Sequence, residues 1–213
     1  MVTCKICTQQ ARPLFDKQYD HTYHACPACG YIFLEGSKVI SPAEEKKQYQ
    51  FHNNGFDNKG YVSMQQAFID LAVLPYCPAK GRILDFGSGP IPVLAQLLRR
   101  AGFTVDIYDK FFAPEDAWQN NKYDLITVTE VFEHLPDPAI VLKSLASRLN
   151  KKGIIAVKTK FHPNDDKAFL DWWYRRDATH ISFYTPRTFE RLSEMFCLKL
   201  LMLNDTEVCL LGK

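Results

Sequence analysis

The chain has 213 residues, enough for one α/β domain with a small appendage, and 46% of them are apolar, enough to fill a core. Its formal net charge is only +2 and no basic block or stripe stands out, which argues against nucleic acid as an obligatory partner. No apolar run is long enough to cross a bilayer, and the stretch from Met1 to Cys7 has no signal-peptide core, so the expected location is cytoplasmic.

Four of the seven cysteines fall near the N-terminus as Cys4-x-x-Cys7 and Cys26-x-x-Cys29, with eighteen residues between the pairs. Each pair can set two thiolates on one tight turn, and two such turns complete a tetrahedral four-sulfur site. Gly30 follows the second pair, where a tight turn must relax. The expectation is a zinc ribbon over residues 1–38, its metal structural because four protein ligands leave no open position. His21 and His24 lie close enough to compete for a ligand position. The remaining cysteines, Cys77, Cys197 and Cys209, are scattered and read as buried thiols rather than a disulfide framework.

A polar stretch from Ser41 to Lys59 comes next, within a helical linker or lid assigned to residues 39–76. Ser41-Pro42-Ala43-Glu44 has the signature of a helix start, with serine as cap and proline in the first turn. By position, Tyr49, His52 and Asn53 to Phe56 are candidates to close over a site. Tyr61 to Leu74 carries apolar residues at helical spacing.

Residues 77–213 then alternate strand and helix. Strands are predicted at Arg82–Phe86, Thr104–Tyr108, Leu125–Thr129 and Ile154–Thr159. Helices are predicted at Val93–Ala101, from Asp137-Pro138 through Leu149, and after Thr185-Pro186. The second of these should bury Ile140, Val141, Leu142, Leu145 and Leu149. Leu198–Leu203 and Glu207–Leu211 read as a closing antiparallel hairpin. This order predicts a Rossmann-like α/β fold, a mostly parallel sheet with helices on both faces.

The first strand of that domain ends in Gly87-Ser88-Gly89 and leads into a helix. Such a turn brings backbone N–H groups close to a bound cofactor. Asp109 lies 24 residues after Asp85, at the end of the next strand, where a carboxylate can accept both hydroxyls of a ribose. A dinucleotide site would want a third glycine, yet the turn runs on as Pro90-Ile91-Pro92. Two prolines remove donors that a pyrophosphate would use, so a nucleoside cofactor without phosphate fits better than NAD.

Ile83-Leu84-Asp85-Phe86-Gly87-Ser88-Gly89-Pro90 resembles the first motif of class I S-adenosylmethionine-dependent methyltransferases. Thr129-Glu130-Val131-Phe132-Glu133-His134-Leu135 resembles their Glu-Val-x-Glu-His segment, and Lys152-Gly153 before a strand also fits. The nearest likeness is to the ubiquinone and small-molecule branch, which includes bacterial members with an N-terminal cysteine-pair motif. The resemblance implies that Asp85, Gly87 and Gly89 surround the methionine part and the ribose, that Asp109 holds the ribose diol, and that Glu130 and Val131 line the sulfonium side. Phe86, Ser88 and Lys110 complete the candidate cofactor set.

Two departures from the family pattern matter. Ile91 replaces the usual third glycine, and only thirteen residues, Lys110 to Lys122, separate Asp109 from Tyr123. That span is too short for the helix, strand and helix found there in the family. A sheet of six strands without the usual third strand is therefore expected. The acid that normally meets the adenine goes with that strand. Phe111, Phe112 or Trp118 would cover the adenine or plug the sheet edge instead.

Methyl transfer is a displacement at a sulfonium, so positioning dominates, and a base serves only an acceptor that loses a proton. His134 and His180 are the candidate bases. The segment from Asp171 to Tyr184 concentrates Trp172, Trp173, Tyr174, Arg175 and Arg176, residues suited either to grip a flat or anionic acceptor or to pack the loop through an Arg–Asp pair. The main reading is methyl transfer to a small molecule. One alternative is an RNA methyltransferase that uses its ribbon for substrate binding. The other is a non-catalytic cofactor-binding protein that acts through the ribbon.

Overall fold

The computed structural model describes residues 2–51 and 54–213. In chain order the elements are β1 (Val2–Thr3), β2 (Gln10–Asp16), β3 (His21–Ala25), β4 (Ile32–Leu34), α1 (Pro42–Gln50), α2 (Lys59–Ala72), β5 (Arg82–Phe86), α3 (Val93–Arg100) and β6 (Thr104–Tyr108). They continue with β7 (Tyr123–Thr129), α4 (Pro138–Ser147), β8 (Leu149–Lys158), α5 (Asp166–Asp171), β9 (Ser182–Phe183), α6 (Pro186–Met195), β10 (Lys199–Leu203) and β11 (Val208–Gly212). Among the described residues no helix is long and apolar enough to cross a membrane.

The larger sheet has six strands in the order β10-β11-β8-β7-β5-β6. β6, β5, β7 and β8 run parallel, while β11 lies antiparallel to both β8 and β10. Successive strand residues face opposite layers. Ile83, Leu125 and Ile154 pack under α2 and α3 with Phe68, Ile69, Leu94 and Leu98. Leu84, Ile126 and Ile155 pack on the other side with Leu142 and Leu145 of α4 and Phe189 and Leu192 of α6. The Rossmann-like architecture expected from the alternation is present, with its closing hairpin held by Asn204, whose Oδ1 accepts from three backbone N–H groups.

The sheet stops at β6 among the described residues, and a single 3-10 turn, Asp116–Asn120, fills the short link. Trp118 is buried there, its ring 5.6 Å from that of Phe86 and 5.4 Å from that of Tyr108. Trp118 therefore plugs the sheet edge that the missing strand leaves.

The helix α4 differs from its sequence reading. It ends at Ser147, so Leu149 opens β8, and Ile140 is 67% exposed. Leu142 and Leu145 share the inner face at helical spacing, and two residues back from Leu142 points the other way. Asp137 makes no side-chain cap, although Pro138 does open the helix. α1, by contrast, starts with a full capping box between Ser41 and Glu44.

The N-terminal strands build a second, antiparallel sheet in the order β1-β2-β3-β4-β9. Its last strand comes from the chain after α5, where Ile32 pairs with Phe183 and Phe33 with Ser182. Leu14, Tyr23, Ile32 and Leu34 pack there with Phe169, Tyr174, Ile181 and Phe183. The cysteine-bearing segment thus completes its core with aromatic residues from far along the chain.

Candidate functional site

A cavity of about 1130 Å³ opens at the C-terminal ends of β5, β6 and β7, where a doubly wound sheet leaves room for a ligand. All nine residues of the candidate cofactor set line it, and so do His134 and His180. The turn after β5 is held from beneath, because the N–H groups of Gly87 and Ser88 both donate to the Tyr108 carbonyl. Gly87 has φ +82°, and a Cβ there would stand 2.2 Å from Val131 Cγ2. Gly89, at φ +67°, has nothing within 4 Å of that position. One glycine lets the two motifs touch and the other keeps the cavity floor open.

Asp85 is 2% exposed. Thr127 Oγ1 donates to its Oδ1 at 3.0 Å, while Oδ2 lacks a partner of good geometry. Burial pushes its pKa up to about 6. Ser88 Oγ and Gln65 Oε1, both lining the same cavity, are also buried without partners. Buried polar atoms in folded proteins are normally satisfied, so three orphans lining one cavity mark where a polar ligand fits. Asp109 Oδ2 accepts from Gly89 N–H at 2.9 Å, and its Oδ1 accepts from the N–H groups of Phe111 and Phe112. Its carboxylate is thereby aimed by the backbone, with lone pairs left for a ligand.

Helix α1 closes the near side. Lys110 Nζ pairs with Glu45 of α1 at 2.7 Å, and the Tyr49 ring lies 5.2 Å from that of His134 and 6.0 Å from that of Phe111. Phe112 and Asn54 also line the cavity. His52 and Asn53, named with the lid, lie outside the described residues.

Glu130 sits at φ +54°, a backbone conformation that few residues other than glycine adopt. Lys158 Nζ donates to Glu130 Oε1 at 2.7 Å, so the carboxylate expected beside a sulfonium carries its own countercharge. Burial and the neighbouring Glu133 raise the Glu130 pKa. The Tyr174 hydroxyl bridges the two acids, 2.5 Å from Glu133 Oε1 and 3.2 Å from Glu130 Oε2.

His134 Nδ1 lies 3.0 Å from the Thr179 carbonyl oxygen, and His180 Nδ1 lies 2.6 Å from that of Tyr174. A carbonyl only accepts, so each Nδ1 carries the proton and each Nε2 is the acceptor of the neutral ring. The two ring centroids are 4.9 Å apart. One ligand atom each from Glu133, His134 and His180 lie within 4.8 Å of one another. Burial, then the neighbouring His180, lowers His134 to about 4, which keeps it neutral at ordinary pH.

Sequence reasoning left Lys158, Gln65 and Tyr61 out of the site, and all three line the cavity. The available signals were a lysine directly after the apolar run Ile154–Val157 and a glutamine on the inner face of α2. The aromatic segment after α5 divides between both of its readings. Arg175 is buried against Asp16 of β2 and serves packing, whereas Trp173, Tyr174, Arg176 and His180 line the cavity.

The four N-terminal cysteines form a separate buried cluster, with one Sγ of each within 4.8 Å of the others. Cys4 and Cys29 are 3.6 Å apart and Cys7 and Cys26 3.4 Å. Thiolates about 2.3 Å from a tetrahedral centre stand about 3.8 Å from one another, so the cluster fits a metal ion. Neither histidine enters this cluster, and His24 packs on Phe33 instead. The cluster also rests on α6. Thr188 Oγ1 donates to the Cys29 carbonyl at 2.9 Å, and a Cβ on Gly30 would stand 2.4 Å from Thr185 Oγ1.

A family model described as a methyltransferase domain matches residues 63–201. The ubiquinone biosynthesis O-methyltransferase of Marinobacter nauticus is 36% identical over 81 residues, which covers 36% of this chain and 33% of the relative. The chain spans about a third of the length of the curated relatives it matches. Magnesium protoporphyrin IX methyltransferase of Synechocystis, solved with bound SAH, aligns with a TM-score of 0.55 at 12% identity over 83% of this chain and 97% of that one. The 1,6-didemethyltoxoflavin-N1-methyltransferase of Burkholderia thailandensis aligns with a TM-score of 0.55 at 13% identity over 96% and 99%. At such identities the structural likeness speaks for the fold alone.

Proposed function

The chain belongs to the methyltransferase-domain family, and from that premise we propose that it transfers a methyl group from S-adenosylmethionine to a small-molecule acceptor. The observation that carries this reading is the wall of unpartnered polar atoms, Gln65 Oε1, Asp85 Oδ2 and Ser88 Oγ, beside the glycine turn. The cofactor's ammonium would meet the Asp85 carboxylate, and its ribose would meet Asp109. Phe86, Gly87, Ser88, Gly89, Lys110, Glu130 and Val131 would complete its site, with Phe112 at the adenine end. When bound, the cofactor supplies an electrophilic methyl group. The protein positions the acceptor, and His134 Nε2, with His180 beside it, receives a proton from an acceptor that must lose one.

Cys4, Cys7, Cys26 and Cys29 would hold one structural zinc ion. On this reading residues 1–38 form the zinc ribbon, 39–76 the linker and lid, and 77–213 the cofactor-binding domain. Its unbridged thiols suit a cytoplasmic location. The net charge of +2 disfavours RNA as acceptor.

Thermal melts with S-adenosylmethionine, S-adenosylhomocysteine and NAD test the cofactor. The first two should raise the melting temperature, and a response to NAD alone would overturn the reading. Labelled methyl transfer to a panel of phenols, quinols, sugars and RNA tests the acceptor class. Metal analysis should find about one zinc per chain.

A further inference from the structure

The charges on the cavity wall are unevenly matched. Lys110 pairs with Glu45 at 2.7 Å, Lys158 with Glu130 at 2.7 Å and Lys160 with Glu207 at 2.9 Å. Arg176 also lines the cavity, yet its one contact among the described residues is from Nη2 to the Asp171 carbonyl at 3.3 Å. It is therefore the cavity's cation without a carboxylate partner among those residues. On the same short turn, Trp173 lines the cavity while 61% exposed. An indole left bare at a cavity mouth offers an apolar face for a flat ring. A guanidinium offers a planar fork that matches a carboxylate.

We infer that the acceptor is a planar ring bearing a carboxylate, with Arg176 as the residue that selects for the acid and Trp173 as the surface its ring covers. This rests on the methyltransferase reading and narrows its acceptor class. The carboxylate sits at the mouth beside Arg176. The reacting group reaches inward toward His180, whose ring is 4.2 Å from that of Tyr174, and His134, 4.9 Å beyond it. The Arg–carboxylate contact lies at the exposed rim, so salt screens it.

The test is a calorimetric titration of the full chain saturated with S-adenosylhomocysteine. The probes are 4-hydroxybenzoate and 3,4-dihydroxybenzoate, each set against its neutral amide. The acids should bind at least about tenfold more tightly than the amides, a preference that shrinks as salt rises. Arg176→Gln should abolish the preference and Arg176→Lys should keep part of it. Trp173→Ala should weaken acid and amide alike. Equal binding of acid and amide, a preference that survives in Arg176→Gln, or no binding by any of the four compounds overturns the inference. So does a loss of S-adenosylhomocysteine affinity in Arg176→Gln, which would assign the guanidinium to the cofactor's carboxylate. Failure of S-adenosylhomocysteine to bind the unaltered chain sinks the methyltransferase reading instead, and the two failures are read in separate titrations.

Discussion

At the scale of single residues the cofactor wall accepts local costs. Asp85 illustrates this, with burial raising its pKa in the fold to about 6 from an ordinary 3.8. Its ionised form costs the unliganded fold nothing below pH 3.8, more as pH rises toward about 6, and the full amount above that. That amount is on the order of 3 kcal/mol. Unliganded Asp85→Asn should therefore melt higher than the unaltered chain at pH 7, with the gap closing as pH falls toward 4. The same variant should lose most of the stabilisation that S-adenosylmethionine confers. A lower melting temperature for unliganded Asp85→Asn at pH 7 would show that the charge is not the cost. Gly87 makes a sharper case. Its φ is +82° and a Cβ would sit 2.2 Å from Val131 Cγ2, so Gly87→Ala should destabilise by about 1–3 kcal/mol in chemical denaturation. It should also weaken cofactor binding, because Val131 must move.

At the scale of elements, the segment after α5 does two jobs. Arg175 and Asp16 form an ion pair with side chains only 1% and 3% exposed, which ties this turn to β2. Breaking one side of a buried pair typically costs about 3–5 kcal/mol, so Arg175→Ala should lower denaturation stability by that order. Arg176→Ala, one residue on and exposed, should change stability by about 0.5 kcal/mol or less. The contrast shows how a sequence stretch read as one cluster splits by which side of the chain each residue faces. Helix α1 has no buried residue of its own, and it reaches the site through Glu45 and Tyr49. An element with no buried residue suits the lid role proposed for it. Tyr49→Ala should weaken cofactor and acceptor binding in titration while leaving the melting temperature of the unliganded chain within a few degrees.

At the scale of the whole molecule, the cysteine cluster and the cavity are joined through one sheet. β4 pairs with β9, and the Ile181 N–H donates to the Glu133 carbonyl, next to His134. Tyr31 reaches Ser182 at 2.7 Å, and Ser182 in turn reaches the Leu135 carbonyl at 2.6 Å. The cysteine-bearing sheet therefore braces the histidine side of the cavity, while the glycine turn and Asp109 rest on the larger sheet. Stripping the proposed zinc with a chelator should abolish the proposed methyl transfer, because His134, Tyr174 and His180 would lose their support. The affinity for S-adenosylhomocysteine should change far less, by about threefold or less in calorimetry, an amount well under 1 kcal/mol. Equal loss of both would show that the ribbon supports the whole fold.

Much of this molecule is written in local pattern. Residues alternating between two layers specify β5, β7 and β8, capping residues open α1 and α6, and the thirteen-residue link after Asp109 leaves no room for another strand. The glycine turn and the cysteine pairs are legible for the same reason, since their chemistry depends on spacing within a few residues. What lies beyond sequence distance needed the folded chain. Pairing Ile32 with Phe183, Arg175 with Asp16 and Lys158 with Glu130 depends on which surfaces meet, and no periodicity records that. So the sequence by itself determined the fold class, the glycine turn and the four-cysteine cluster. The tertiary structure decided that Trp118 plugs an edge, that Glu130 is already neutralised, and that Arg176 remains without a carboxylate at the cavity mouth among the described residues. The physical reason is that turn geometry and layer preference are local, whereas charge pairing and burial are settled only when distant segments come within a few ångströms.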